Sequence, residues 1–199
     1  MRFFNSKLFF WGLLSVPALP IFWQLAAQSP GPDGEPVAEF LLHPTGETSA
    51  RLMIAAMALS PLRLMFPGSN ALRWLINRRR YLGLGAFAYA ALHTVFYLVD
   101  MASVEAVLGE FFALGIWTGW FAILFLLPLA LTSNDLSVRR LGWRWKALQR
   151  FIYAAAVLVL LHWIFVHNNQ AAALAHFLPL FALETYRIWH LFFRRRKAF

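Results

Sequence analysis

Six apolar stretches organise the chain, at Leu8–Ala27, Ser49–Phe66, Tyr81–Leu98, Phe111–Leu131, Leu148–Val166 and Ala171–Phe193. As helices rising 1.5 Å per residue, each reaches about 27–35 Å, enough to cross a hydrocarbon core. The pattern predicts an all-α integral membrane protein, a single domain over residues 1–199 built as a six-transmembrane-helix bundle. Prolines fall inside the first stretch (Pro17, Pro20), the fourth (Pro128) and the sixth (Pro179). A bilayer tolerates them because neighbouring helices satisfy the freed backbone groups. No repeat or low-complexity segment is visible. The first stretch has a second reading as a cleaved signal peptide, since Arg2 and Lys7 precede it and LAAQSP follows. It is long for a signal core, and its removal leaves the orientation of the rest unchanged.

The polar segments between the stretches alternate in charge. Arg63, Arg73 and Arg78–Arg80, then Arg139, Arg140, Arg144 and Lys146, then Arg194–Lys197 fall on one side. The other side holds Asp33, Glu35, Glu39 and Glu47, then Asp100, Glu105 and Glu110, then His167, Asn168, Asn169 and Gln170. The positive-inside rule therefore predicts both termini in the cytoplasm. The net charge of +9 reads as a topological signal, with attraction of anionic headgroups as a second role.

Composition narrows the function. Hydrophobic residues make up 60% and charged residues 14%, with a mean hydropathy of +0.58. Six spans leave no room for a soluble catalytic domain, and the same composition excludes a nucleic-acid-binding domain. There is no cysteine, which excludes disulfides, iron–sulfur clusters, thiolate zinc sites and covalently attached haem.

Ionisable residues inside spans are functional candidates because they are expensive there. His93 lies seven residues before Asp100, His162 six before Asn168, and His176 six after Gln170. All three fall about 9–10 Å below the outer surface, in one layer. Two facing imidazoles at equal depth can clamp a haem iron; the competing reading is a structural or proton-handling role. Spacing leaves open which two face each other. His43, in LLHPTGETSAR, is placed in the outer loop before span two, with Thr45 and Glu47 explained by a helix-capping turn. Arg51 is the basic residue of the outer half, a partner for a haem propionate or a snorkelling side chain. No phosphate fingerprint, nucleophile elbow or catalytic carboxylate pair occurs, so hydrolysis is not supported.

Three segments are familiar: SPLR at Ser60–Arg63, RRRYLGLGAFAYAALHTVFYLVD through span three, and LTSNDLSVRRLGWRWKALQRFIYAAAVLVLLHW from span four into span five. They resemble the MsrQ (YedZ) family, haem-binding membrane subunits of a bacterial periplasmic methionine-sulfoxide reductase system within the ferric-reductase-like transmembrane superfamily. The resemblance runs from about His43 to His162. It implies a b-type cytochrome in the bacterial inner membrane with no substrate-converting site of its own. Electrons would come from a cytoplasmic flavin reductase, through FMN and haem b, to a periplasmic molybdopterin subunit, MsrP. The family's ligand positions fall on His93 and His162. A second family histidine, in W-x-x-LH-x-x-x-Y, is here Gln149, and an amide is a poor axial ligand. A haem in the outer layer leaves roughly 20 Å of bilayer on the cytoplasmic side. FMN near Arg78, Arg79, Arg80, Arg139 or Arg140 would bridge it, these guanidiniums facing its phosphate. His190, near the depth of Gln149, is a substitute ligand or an interfacial side chain, and His176 and His43 stand as further possible ligands. The rival functions are a transmembrane ferric or other metal-ion reductase and a haem-free transporter or interaction protein.

Overall fold

The structure, a computed structural model, describes residues 6–167 and 170–196. Arg2, Asn168, Asn169 and Lys197 lie outside the described residues. Among those described there are helices and no strands: α1 (Lys7–Ser15), α2 (Ala18–Ala27), α3 (Val37–Met65), α4 (Asn70–Ile76), α5 (Arg79–Met101), α6 (Val104–Glu110), α7 (Leu114–Leu131), α8 (Asp135–Leu141), α9 (Trp143–Gln149), α10 (Ile152–His167) and α11 (Gln170–Arg196). Short capped helices join the long ones. Ser69, Ser103 and Asn134 each accept a backbone N–H with the side-chain oxygen at the start of α4, α6 and α8, satisfying a donor the helix leaves open.

Three helical segments are long and apolar enough to cross a membrane: Arg79–Met101, Leu114–Leu131 and Trp143–Val166, the last running through α9 and α10. The first expected span is broken. Pro17 has no N–H to continue the ladder, and α1 and α2 meet at 51°, together passing as a fourth span. Both halves pack into the bundle through Phe10 and Ile21, and the Tyr89 hydroxyl donates to the Leu14 carbonyl at 2.8 Å. The second and sixth expected spans are α3 and α11, of 29 and 27 residues, about 40 Å each. Both carry charged side chains within their length, Glu47, Arg51 and Arg63 on α3 and Glu184 and Arg187 on α11.

The boundary of α3 corrects the sequence reading. The helix begins at Val37, not Ser49, and His43 is helical rather than in a loop. Pro44 and Gly46 look like breakers, but one lost N–H does not stop a helix packed along its length. Thr45 is no cap: its hydroxyl donates to the carbonyls of Leu41 and Leu42 at 2.6 and 3.0 Å.

Small residues set the packing. Ala50, Ala86, Ala155, Ala156 and Ala173 are buried where α3, α5, α10 and α11 meet, and such residues let helix backbones approach where lipid supplies no hydrophobic drive between helices. At Gly115 a Cβ would lie 2.7 Å from Val166 Cγ2 and 3.2 Å from its backbone nitrogen, so α7 and α10 touch almost backbone to backbone. The outside of the bundle is apolar, with Leu124, Val157, Leu178 and Phe181 more than half exposed.

Candidate cofactor site

His93 on α5 and His162 on α10 face each other. Their ring centres are 5.9 Å apart and their planes are 82° to one another. Each ring is fixed by its Nδ1: His93 to the Leu42 carbonyl at 3.0 Å, His162 to the Gly115 carbonyl at 2.7 Å. A carbonyl only accepts, so each bond puts the proton on Nδ1 and leaves Nε2 with its lone pair. That is the tautomer a metal-binding imidazole needs, oriented by a backbone acceptor.

The two histidines are seated by the same device. On α3, Leu41-Leu42-x-x-Thr45-Gly46 presents the Leu42 carbonyl to His93 and lays the bare Cα of Gly46 against its ring, where a Cβ would come within 3.1 Å of Nδ1. On α7, Leu114-Gly115-x-x-Thr118-Gly119 presents the Gly115 carbonyl to His162, and a Cβ on Gly119 would lie 2.7 Å from Nδ1. The threonine hydroxyls match too. Thr45 donates to Leu41 and Leu42, and Thr118 to Leu114 and Gly115, at 2.9 and 2.7 Å. Both threonines are 0% exposed. The L-x-x-x-T-G repeat is short enough to pass unnoticed until the histidines show the two copies to be equivalent.

Between α3, α5, α7 and α10 lies an open cleft whose walls include both histidines, Ala50, Ala90, Ala122, Leu126 and Val159. Tyr97, one turn from His93, lines it as well, and its buried hydroxyl has no hydrogen-bond partner among the described residues. An iron bound to one nitrogen of each ring at about 2 Å sets the ring centres roughly 6 Å apart. The residues present therefore fit a bis-imidazole haem.

The remaining candidates sit elsewhere. His176 does not line the cleft; its ring packs on Trp163 with centres 5.0 Å apart. Its Nδ1 donates to Ala172 and its Nε2 accepts from Arg51 at 3.2 Å, so neither nitrogen is open to a metal. Arg51 turns the same way and grips Glu47 at 2.6 Å. It does not line the cleft, and through His176 it links α3 to α11. His43 does reach the cleft, at the rim beside Glu47.

A family model described as "Ferric reductase like transmembrane component" matches residues 45–160. A relative from Rhizobium meliloti is 34% identical over 183 residues, covering 90% of this chain and 81% of its own. One from Deinococcus radiodurans is 36% identical, with 89% and 85% covered, and one from Cronobacter sakazakii is 35% identical, with 73% of each covered. All three carry the name "Protein-methionine-sulfoxide reductase heme-binding subunit MsrQ". The chain belongs to the MsrQ family. No solved structure matches it.

The position of Gln149, where the resemblance implied a further histidine, opens on a second cavity at the end of the bundle where α5 begins. Gln149 lines it, but its amide donates to the Leu129 carbonyl and the Thr132 hydroxyl, both at 3.2 Å. Arg79, Arg80, Glu184 and Arg187 line it too, and among the described residues no histidine does. His190 instead packs on Tyr186, with ring centres 5.8 Å apart. The five arginines linked to a phosphate divide. Arg79 reaches Ser60 at 2.8 Å, and Arg80 pairs with Asp135 at 2.6 Å and holds its carboxyl below the usual range. Arg78 lies over the rings of Trp74 and Phe10, and Arg139 and Arg140 are exposed in the last turn of α8.

Proposed function

We propose that this membrane protein binds haem b between His93 and His162 and passes electrons across the bacterial inner membrane to a periplasmic methionine-sulfoxide reductase. The observation that carries the reading is the facing pair, each ring bonded through Nδ1 to a backbone carbonyl and backed by a glycine. Haem supplies one-electron chemistry when bound. The chain's part is to hold both imidazoles in the ligating tautomer, exclude water with alanine, leucine and valine walls, and offer the Tyr97 hydroxyl as an unused donor. The relatives' shared name supports haem and the methionine-sulfoxide reductase system. The electron acceptor is a periplasmic molybdopterin subunit, MsrP, and the donor a cytoplasmic flavin reductase.

All 199 residues form one domain of six spans: the bent α1–α2 pair, α3, α5, α7, α9–α10 and α11. Two ion pairs within these helices support their crossing, Glu47 with Arg51 on α3 and Glu184 with Arg187, at 2.8 Å, on α11. With Arg73, Arg78–Arg80, Arg139 and Arg140 at one end, both termini are cytoplasmic. The arginine-lined cavity then faces the electron donor. FMN fits that position, its phosphate toward Arg79 and Arg80.

Purified protein carries the test. His93→Ala and His162→Ala should each abolish the bis-imidazole absorption spectrum while the bundle stays folded. Retention of normal haem content in both variants overturns the assignment.

A further inference from the structure

The two Thr-Gly pairs do more than make room. Leu42 O accepts from both the Thr45 hydroxyl (3.0 Å) and His93 Nδ1 (3.0 Å). Gly115 O accepts from both the Thr118 hydroxyl (2.7 Å) and His162 Nδ1 (2.7 Å). A carbonyl oxygen shared between two donors is a weaker acceptor for each. The strength of an Nδ1–H bond sets how much electron density the imidazole passes to a metal on Nε2. Threonine hydroxyls commonly donate back to carbonyls of their own helix. Here each hydroxyl is shared between two carbonyls, Thr45 reaching Leu41 O at 2.6 Å as well and Thr118 Leu114 O at 2.9 Å, and on both helices one of the two is the carbonyl that orients a histidine of another helix.

We infer that Thr45 and Thr118 are positioning residues that tune the redox potential of the site through the shared carbonyls. Each hydroxyl draws acceptor strength from its carbonyl, keeps the imidazole a neutral rather than imidazolate-like donor, and so favours the reduced iron. The inference rests on the haem reading above, and the two copies make it testable twice in one molecule.

The experiment is spectroelectrochemical titration of the haem-loaded protein with Thr45→Val and Thr118→Val, which keep the shape and delete the hydroxyl, beside Thr45→Ser and Thr118→Ser, which keep the hydroxyl. Both valine variants should hold haem and shift to a lower midpoint potential, the double variant further than either, while the serine variants stay near the parent. Valine variants that load haem with an unchanged potential overturn the inference and leave the haem reading standing, as does a shift equally large in the serine variants. Parent protein without a haem spectrum overturns the haem reading. In that case, nitrogen NMR of the histidine-labelled protein still reads the hydrogen bonds: each valine variant should move the Nδ1 resonance of its own histidine, and an unmoved resonance overturns the inference as well.

Discussion

At the scale of single residues, the site depends on two absent side chains. Adding a methyl at Gly119 puts a carbon 2.7 Å from His162 Nδ1, inside contact distance, so the ring must leave the Gly115 carbonyl. Gly119→Ala should therefore weaken haem retention by about 10–100-fold, the usual cost of losing a partner that orients a metal ligand. Gly46→Ala meets His93 at 3.1 Å and should do less. Gly12→Ala, with nothing within 4 Å, should hold haem normally and gain up to about 1 kcal/mol from helix propensity. Haem transfer to an acceptor apoprotein measures all three; equal rates for Gly119→Ala and the parent would refute the seat. The histidines themselves were legible in the sequence as residues at equal depth. Depth alone did not pair them, because it says nothing about which way a helix is turned; the family resemblance singled out His93 and His162. The glycines stayed hidden for a related reason: a glycine in an apolar run is silent until a neighbour's ring is placed on it.

At the scale of elements, the charges that blur α3 and α11 as spans are what a long buried helix has to neutralise. Glu184 and Arg187 are one turn apart on α11, 13% and 23% exposed, and Arg187 also donates to the Tyr153 hydroxyl on α10. Arg187→Met leaves the half-buried Glu184, on the wall of the arginine-lined cavity, without its ion-pair partner and should lower stability by up to about 3 kcal/mol, the lower end of what breaking one side of a buried pair costs. Replacing both, with Glu184→Leu added, should recover most of it. Unfolding in detergent by increasing SDS reads the difference, and a single variant as stable as the parent would mean that the pair is solvated. Hydropathy located five of the six stretches to within a few residues because apolar runs are what lipid selects. It began α3 twelve residues late, at Ser49 rather than Val37, because Glu39, His43, Pro44, Gly46 and Glu47 read as a polar loop. Their partners lie on other helices or a turn away, where a running average does not look.

At the scale of the whole molecule, two cavities stand end to end with Leu126 in the wall of both. One has the facing imidazoles of His93 and His162, with His43 at its rim, and mostly apolar walls; the other has three arginines, the carboxylates of Asp135 and Glu184 and the amides of Asn77 and Gln149 but, among the described residues, no histidine. Haem iron is held by imidazole, thiolate, thioether or phenolate donors; the phenol on this wall, Tyr153, already accepts from Arg187. Gln149 offers a carbonyl oxygen, and its amide is already committed to the end of α7. Met53 and Met57 carry thioethers on that wall, but a thioether in natural haem sites is paired with an imidazole. On the function proposed here, the arginine-lined cavity takes an anionic carrier rather than a second iron. The expected stoichiometry is one haem per chain, and a flavin assay on the same sample should find FMN. Two haems per chain would contradict this division of labour. They would require the second cavity to recruit a histidine such as His190 by turning α11, a movement that would break the contact of its ring with Tyr186. Arg79→Ala with Arg80→Ala separates the roles further. Flavin content should fall while the haem spectrum stays, since neither arginine touches the cleft that holds His93 and His162.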